Sequence, residues 1–530
     1  MPRPFGPSPN LWAEPLACPT RKRRIRWWVP GPMRTSTVPD LRITLANDAP
    51  VREGGGHILY WMISSRRLEW NFALQRAVEW ARHLDRPLLV FEALRIGYPW
   101  ASRRLHRFCL DGMAEHRARL QGARAGYFPY VEPEEGAGKG LLEALSGNAC
   151  VVVTDHFPSF FLPRMVAAAG RKLPVALEVV DSNGILPLQA PERDFTTAHS
   201  FRRYLQKTLP DHLPEAPTPH PLQGDPLPPF PGVDPEILAR WPAASRELLE
   251  AEDGHLDSLA VDAEVQPVPF TGGASAGRSR LRGFLEKGLA RYPEDRNHPD
   301  REAGSGLSPF LHWGHLSSHE ILHDLLEKEG WNPGRLSSRT DGRREGWWGL
   351  SPGGEAFLDQ LVTWRELGYG TAHRKGEDAL AFETLPDWAL RTLEAHRSDP
   401  RPHLYDGAEF EEARTHDPLW NAAQRELRRT GTIHNYLRML WGKKILEWSP
   451  SPEEALEIML HLNNRWGIDG RNPNSTSGIF WVLGRYDRGW PERPVFGTVR
   501  SMTSASTRRK VELDRYLERF GNPLTSSSGE

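Results

Sequence analysis

The sequence predicts an α/β domain built on a parallel sheet, followed by an all-helical domain. Three observations lead there. Between about residues 55 and 190, short and continuously apolar runs alternate with amphipathic helical stretches, the pattern of a sheet covered on both faces. A proline-dense stretch follows, as expected of chain that joins two domains. From about residue 275 onward helical periodicity dominates and no convincing strand remains. At 530 residues the chain suits two or three domains, at roughly 100–200 residues each.

Residues 1–54 are basic and proline-rich without periodicity, and read as a disordered extension, with Met33 as a candidate alternative start. The run His57–Met62 (HILYWM) is the first strand, and a helix over 71–84 places Phe72, Leu74, Ala77, Val78 and Ala81 near one face. Further strands fall at 87–91, 151–155 and 175–180, with a helix over 105–120, giving an α/β domain over 55–190. Residues 191–274 read as linker, densest in proline at 208–236, because proline removes a backbone donor and blocks helix interiors. Helices are expected at 281–290, 319–329, 355–367, 387–395, 420–429, 432–447 and 452–463 within a helical domain over 275–522, with 523–530 as a tail.

Composition narrows the function. Hydrophobic residues at 39% and charged residues at 25% describe a globular chain with a buried core. With a net charge of -1, any nucleic-acid surface must be a local basic patch. Cys18, Cys109 and Cys150 match no zinc or CxxC spacing, so no metal site and no disulfide framework are expected, and a reducing, cytoplasmic setting fits. No apolar run approaches the roughly 20 residues that cross a bilayer. The basic run 21–24 lacks the apolar stretch of a secretory signal. Tryptophan stands out, with 20 copies; such a count builds an aromatic core, or less often stacks bases or relays electrons.

Five stretches carry chemistry. Gly304-Ser305-Gly306-Leu307-Ser308 precedes Pro309, which suits a helix start where hydroxyls and amides hold an anion; an ordinary capped helix is the alternative. Trp420, Asn421 and Gln424 open a helix that is otherwise apolar on one side. In 431–448, Arg438, Trp441, Ile445 and Trp448 share a face, with Trp441 and Trp448 roughly 10 Å apart along the axis. An arginine on that face needs a partner, and Asp469, in the polar loop 462–481, is the candidate. Finally, 485–502 mixes arginines with aromatics that suit phosphates and bases, or a solvated loop.

These blocks resemble the photolyase/cryptochrome family. Leu307 to Gly314 is similar to its phosphate-side motif; 415–448, 462–481 and 487–502 resemble the class II cyclobutane pyrimidine dimer photolyases closely. The strand at His57–Met62 with Arg66, Arg67, Asn71, Ala73 and Leu74, together with 151–157 and 180–187, resembles that group's antenna domain. The resemblance spans about 57–520. It implies a Rossmann-like N-terminal antenna domain and a helical FAD-binding domain. Ser305, Leu307 and Ser308 then lie near the FAD phosphates, Arg438 and Asp469 pair beside the isoalloxazine, and Asn463 faces its N5. Trp420, Trp441 and Trp448 are the implied electron relay, Glu366 the acidic group that bonds the dimer, and Met439 and Trp481 the lesion-pocket lining.

The implied activity is light-driven splitting of cyclobutane pyrimidine dimers in DNA by reduced FAD; the alternative is a cryptochrome-like blue-light photoreceptor without repair. A second antenna chromophore, folate or deazaflavin, belongs to the same resemblance, as does a monomeric state. Arg500, Arg508, Arg509 and Lys510 are candidate contacts to DNA phosphates. The chain departs from the class II pattern at 368–373, at Asn472 where an aspartate is usual, and at 475–477.

Overall fold

The computed structural model describes residues 36–250, 254 and 256–522. The tail at 523–530, Met33 and the first 35 residues of the expected extension lie outside the described residues.

Six strands form one sheet: β1 (Ile43–Leu45), β2 (His57–Met62), β3 (Leu88–Leu94), β4 (Gly126–Val131), β5 (Ala149–Asp155) and β6 (Leu177–Val180). Their order is β1-β6-β5-β2-β3-β4. β2 to β6 are mutually parallel, and β1 runs antiparallel to β6 with Ile43 opposite Val180. The parallel strands are buried almost throughout, which is why they read as unbroken apolar runs.

Two strands escaped the sequence reading for physical reasons. β1 has only three residues. β4 carries Pro129, which lacks a donor and is tolerated because β4 is an edge strand.

The expectation that residues up to 54 are disordered fails for the part that is described. Arg42, just before β1, is completely buried and donates to the carbonyls of Asp181, Gly184 and Ile185. A guanidinium that donates to three carbonyls through its two Nη atoms is a structural pin, and basic composition alone concealed it.

The stretch 191–274 is likewise more than a linker. It contains a helix, Ala198–His212, capped by Thr197, with Pro210 tolerated in the last turn. Farther on it covers the open edge of the sheet: Phe230 N–H donates to the Arg124 carbonyl and Ala244 N–H to the Pro129 carbonyl of β4, both at 2.8 Å. An edge covered this way is closed to other strands.

The helical half follows the expected order, with helices at Ser318–Lys328, Asp387–Ala395, Pro418–Thr430, Asn435–Trp448 and Pro452–Trp466. The expected plain helix at 355–367 is instead composite. Pro352–Leu358 is α-helical, Asp359–Trp364 widens into a π-helix, and Arg365–Lys375 returns to α. The predicted helix at 281–290 is also broken by a π-helical stretch, Phe284–Gly288.

The two halves meet in a polar seam. Arg104, on the helix Arg103–Leu120, is buried and donates to the carbonyls of Gln266, Leu427, Arg428 and Trp466. Gly314 sits at φ 74°, and a Cβ there would lie 1.9 Å from the Ser64 carbonyl oxygen. Only glycine allows that approach.

Candidate functional site

The loop after the helix Pro452–Trp466 turns sharply back on itself. Gly467 N–H donates to the Asn463 carbonyl at 3.0 Å and Gly470 N–H to the Gly467 carbonyl at 3.1 Å. A Cβ at either glycine would fall within 2.6 Å of the Asn463 carbonyl oxygen. This tight turn aims Asp469 at the helix Asn435–Trp448, where Arg438 meets it at 3.2 Å. Ser308 Oγ donates to the other carboxylate oxygen at 2.7 Å. Burial pushes the Asp469 carboxyl upward, but Arg438 and Ser308 outweigh it and hold it below its usual range. Three separated sequence stretches thus converge on one carboxylate.

The remaining expected cofactor residues lie around it. Leu307 is buried. Ser305 accepts from Leu307 N–H through Oγ at 3.5 Å and from Arg280 through its carbonyl at 2.8 Å. Asn463 accepts from Ser475 Oγ at 2.9 Å and donates to Asn464 at 3.0 Å. Arg438 Nε is buried with no hydrogen-bond partner among the described residues. An orphaned guanidinium N–H beside a carboxylate, hydroxyls and amides fits the polar edge of a flavin, which offers carbonyl acceptors and a ring N–H.

The tryptophans form a line leading away from this cluster. Trp441, one turn beyond Arg438, donates to Gln424 at 2.9 Å. Its carbonyl accepts from Trp420 Nε1 at 3.0 Å, and Trp420 meets Trp448 at 6.2 Å between ring centroids. All three are at most 3% exposed. Trp420 therefore bridges the two tryptophans that share a helix face.

Met439 and Trp481 are half-buried. A Cβ on Gly478, one turn before Trp481, would touch Met439 Cε at 3.9 Å, so the two side chains border one region. Trp481 is flanked by Lys443 and Arg500, at 5.0 and 5.3 Å from its ring. Burial lowers the Lys443 ammonium to about 7.

Glu366, the expected dimer-bonding group, has protein partners in the α/β half. Its two carboxylate oxygens accept from the backbone N–H groups of Ile185 and Leu186, at 2.7 and 3.0 Å. It is a buried latch onto the α/β half, in the run that Arg42 also pins. Burial raises it to about 7 against the pull of those two amides. Arg500, a candidate phosphate contact, pairs with Asp487 at 2.9 Å and stacks on Trp490 at 4.0 Å. Arg508, Arg509 and Lys510 are exposed on the helix Ser504–Lys510, as a phosphate contact requires.

The departures at 368–373 and 472–477 prove to be one packing unit. Asn472 donates to Tyr369 Oη at 3.0 Å and bonds His312 Nδ1 at 3.1 Å. Tyr486 donates to Thr371 at 2.7 Å. A Cβ on Gly368 would press on the Pro473 carbonyl and on Ser477 Cβ, each at 3.0 Å. An amide at 472 can donate to a phenol and to a neutral imidazole; a carboxylate cannot. His312 is kept neutral, lowered to about 3 by burial and by Arg471.

Sequence reasoning missed a second site. A cavity of about 610 Å³ opens at the carboxyl ends of β2, β3 and β4, lined by Ser64, Arg95, Glu132, Phe157, Tyr98 and Arg471 among others. β2 lies between β3 and β5, so the chain order reverses there, the position where open α/β sheets bind ligands. Tyr98 Oη and Arg471 Nη2 are both buried and unpartnered among the described residues. Arg471 holds φ 60°, unusual for a side-chain-bearing residue. Its signal in the sequence, an arginine in a turn, was indistinguishable from loop.

No family model matches the chain. Among curated proteins, it is 34% identical over 472 residues to a deoxyribodipyrimidine photo-lyase of Methanothermobacter thermautotrophicus, covering 88% of this chain and 95% of the relative. The Arabidopsis thaliana deoxyribodipyrimidine photo-lyase is 31% identical, covering 88% and 89%, and that of Potorous tridactylus 30%, covering 89% and 82%. Among solved structures, the fold is similar to a class III photolyase from Agrobacterium tumefaciens, with TM-score 0.60 and 16% identity over 88% of this chain and 86% of that one. It is also similar to an archaeal photolyase from Sulfolobus tokodaii described with two FAD molecules, with TM-score 0.58 and 14% identity over 89% and 91%. With relatives this similar over nearly their whole length, and with the ion pair and tryptophan line in place, the chain belongs to the deoxyribodipyrimidine photo-lyase family.

Proposed function

We propose that this chain repairs DNA in light, splitting cyclobutane pyrimidine dimers with reduced FAD. The observation that carries the reading is the Arg438–Asp469–Ser308 cluster at the head of the buried Trp441–Trp420–Trp448 line. FAD, when bound, supplies light absorption and one-electron transfer. The protein supplies binding, orientation and electrostatics. Arg438, its charge balanced by Asp469, would hold the polar edge of the flavin, and Asn463, fixed by Ser475 and Asn464, would offer its amide to N5. Met439 and Trp481 border the space for a flipped-out lesion, whose weak stacking lowers the cost of extrusion. Exposed Arg508, Arg509 and Lys510 give the neutral chain a local contact for phosphates.

The receptor alternative has no support among the curated relatives named above, all of which carry the lyase name. The cavity of about 610 Å³ is our candidate for the second, light-harvesting chromophore, folate or deazaflavin. Its orphaned Arg471 and Tyr98 suit an aromatic ligand bearing an anionic or carbonyl group.

The test is repair itself. The reduced protein is mixed with an oligothymidine that contains dimers, and thymine absorbance is followed in blue light and in the dark. Recovery in light alone is the expected outcome. Photoreducible bound flavin without recovery overturns repair of this substrate. Analysis of chromophores released on denaturation then shows whether a second one accompanies FAD.

A further inference from the structure

The turn that carries Asp469 also builds part of the cavity at the sheet. Arg471, two residues farther on, lines that cavity and is only 5% exposed. His312 and Trp313, at the end of the short helix Ser308–His312, line it too. Trp313 donates through Nε1 to the Ile468 carbonyl at 3.0 Å, next to Asp469, and its ring lies 5.9 Å from the Arg471 guanidinium. Ser308, at the start of the same helix, is the hydroxyl that holds Asp469. The cavity and the Arg438–Asp469 cluster therefore share a wall.

Part of Arg471 is committed to the helix Pro452–Trp466. Its backbone N–H donates to Asn464 Oδ1 at 2.8 Å, and its Nη1 donates to the Asn464 carbonyl at 3.3 Å. That carbonyl belongs to the last turn of the helix, where a cation is favourable. Asn464 Oδ1 also accepts from Asn463 Nδ2 at 3.0 Å, so both lone pairs of that oxygen are used. The rest of the guanidinium is uncommitted: Nη2 is buried without a hydrogen-bond partner among the described residues, as is Tyr98 Oη. The two groups lie close enough for the phenol to act electrostatically on the guanidinium. Capping a helix needs one nitrogen, and this arginine keeps a second one buried and free.

We propose that Arg471 couples the two sites: an anionic or carbonyl group of the cavity's occupant engages Nη2, and the effect reaches the flavin through Asn464 and Asn463. The inference rests on the readings of cavity and cluster given above. Two physical routes carry it. The first is charge. An acceptor on the guanidinium offsets positive charge that acts on Asp469, and less positive charge beside the flavin disfavours its reduced, anionic form. The second is position. A guanidinium drawn to an occupant pulls on Asn464, and Asn464 holds one end of the Asn463 amide while Ser475 holds the other. The coupling is reciprocal, so reduction of the flavin changes the occupant's affinity by the same factor.

Burial lowers the Arg471 guanidinium to about 10, with Tyr98 and Asp469 opposing. It therefore keeps its charge at neutral pH. Arg471 acts through Asn464 and is a positioning residue. A lysine there keeps the charge but loses the fork that serves two partners at once.

The test is a dye-referenced reductive titration of the full-length, FAD-bound protein with and without a saturating probe. The probes are 8-hydroxy-5-deazaflavin and 5,10-methenyltetrahydrofolate, used separately, with binding read by quenching of their fluorescence. A bound probe should move the ratio of reduced to oxidised flavin about tenfold towards oxidised at fixed potential, equivalent to about 30 mV for a two-electron couple. It should also bind the oxidised protein about tenfold more tightly than the reduced one. Arg471→Met should show the shift without any probe and no further shift with it, and Arg471→Lys should restore the charge-dependent part. Melting curves establish that the variants fold; if Arg471→Met does not, the probe titration of the unaltered protein decides. A bound probe that leaves the flavin ratio unmoved overturns the inference and leaves both site readings standing. A probe-induced shift that survives in Arg471→Met overturns the assignment to Arg471. Failure of both probes to bind overturns the cavity reading and the coupling with it, and failure to retain FAD overturns the cluster reading.

Discussion

Glu366 and Asp469 are both buried carboxyls, and their surroundings send them in opposite directions. Glu366 is raised from 4.5 to about 7, chiefly by burial. Its contribution to stability is complete below 4.5, where both folded and unfolded forms are protonated, and is lost as pH rises through about 7. Glu426, also raised to about 7 by burial, behaves the same way. Glu366→Gln should therefore remove one contribution that falls as pH rises between about pH 5 and about pH 7.5, read as a smaller loss of urea midpoint over that range than in the unaltered protein. Asp469 is lowered, so its contribution holds above 3.8 and is lost as pH falls through its folded value. Asp469→Asn should cost about 3 kcal/mol, because it strips the anion from a largely buried pair. Flavin release should accompany it, read by fluorescence of the free flavin.

At the scale of elements, the seam and the composite helix organise the site. Arg104 is lowered to about 10 by burial and by Arg428, yet its guanidinium satisfies four carbonyls from three separate stretches. Arg104→Ala should cost about 3 kcal/mol by leaving buried acceptors without donors. The check is the urea midpoint, with the slope unchanged if only stability has moved. The π-helical segment Asp359–Trp364 shifts the register of side chains beyond it and delivers Glu366 to the seam. Uniform helical periodicity carries no trace of that widened stretch, so the break in the helix was not legible in the sequence.

For the whole molecule the net charge is -1, so binding to DNA must come from a patch. Replacing Arg508, Arg509 and Lys510 with alanine should weaken binding to damaged and undamaged duplexes alike. It should lower the salt dependence of the affinity by about one unit of log–log slope for each phosphate no longer neutralised. A variant whose salt slope equals that of the unaltered protein would remove this helix from the DNA surface. Among the described residues no helix is long and apolar enough to cross a membrane.

What the sequence determined by itself was the set of local patterns. Unbroken apolar runs placed the four central and inner strands, because parallel strands covered on both faces have no polar side to show. Helical periodicity placed the helices of the second half, and ordered blocks between 304 and 502 named Ser308, Arg438, Asp469 and the three tryptophans before any contact was visible. What only the tertiary structure decided were pairings across long separations. Arg42 with the 181–185 carbonyls, Asn472 with Tyr369, and Arg104 with Trp466 are joined by hydrogen bonds. Such pairings depend on where chain folding delivers each donor and acceptor. A buried arginine looks like loop or surface until burial removes water and leaves the protein to satisfy it.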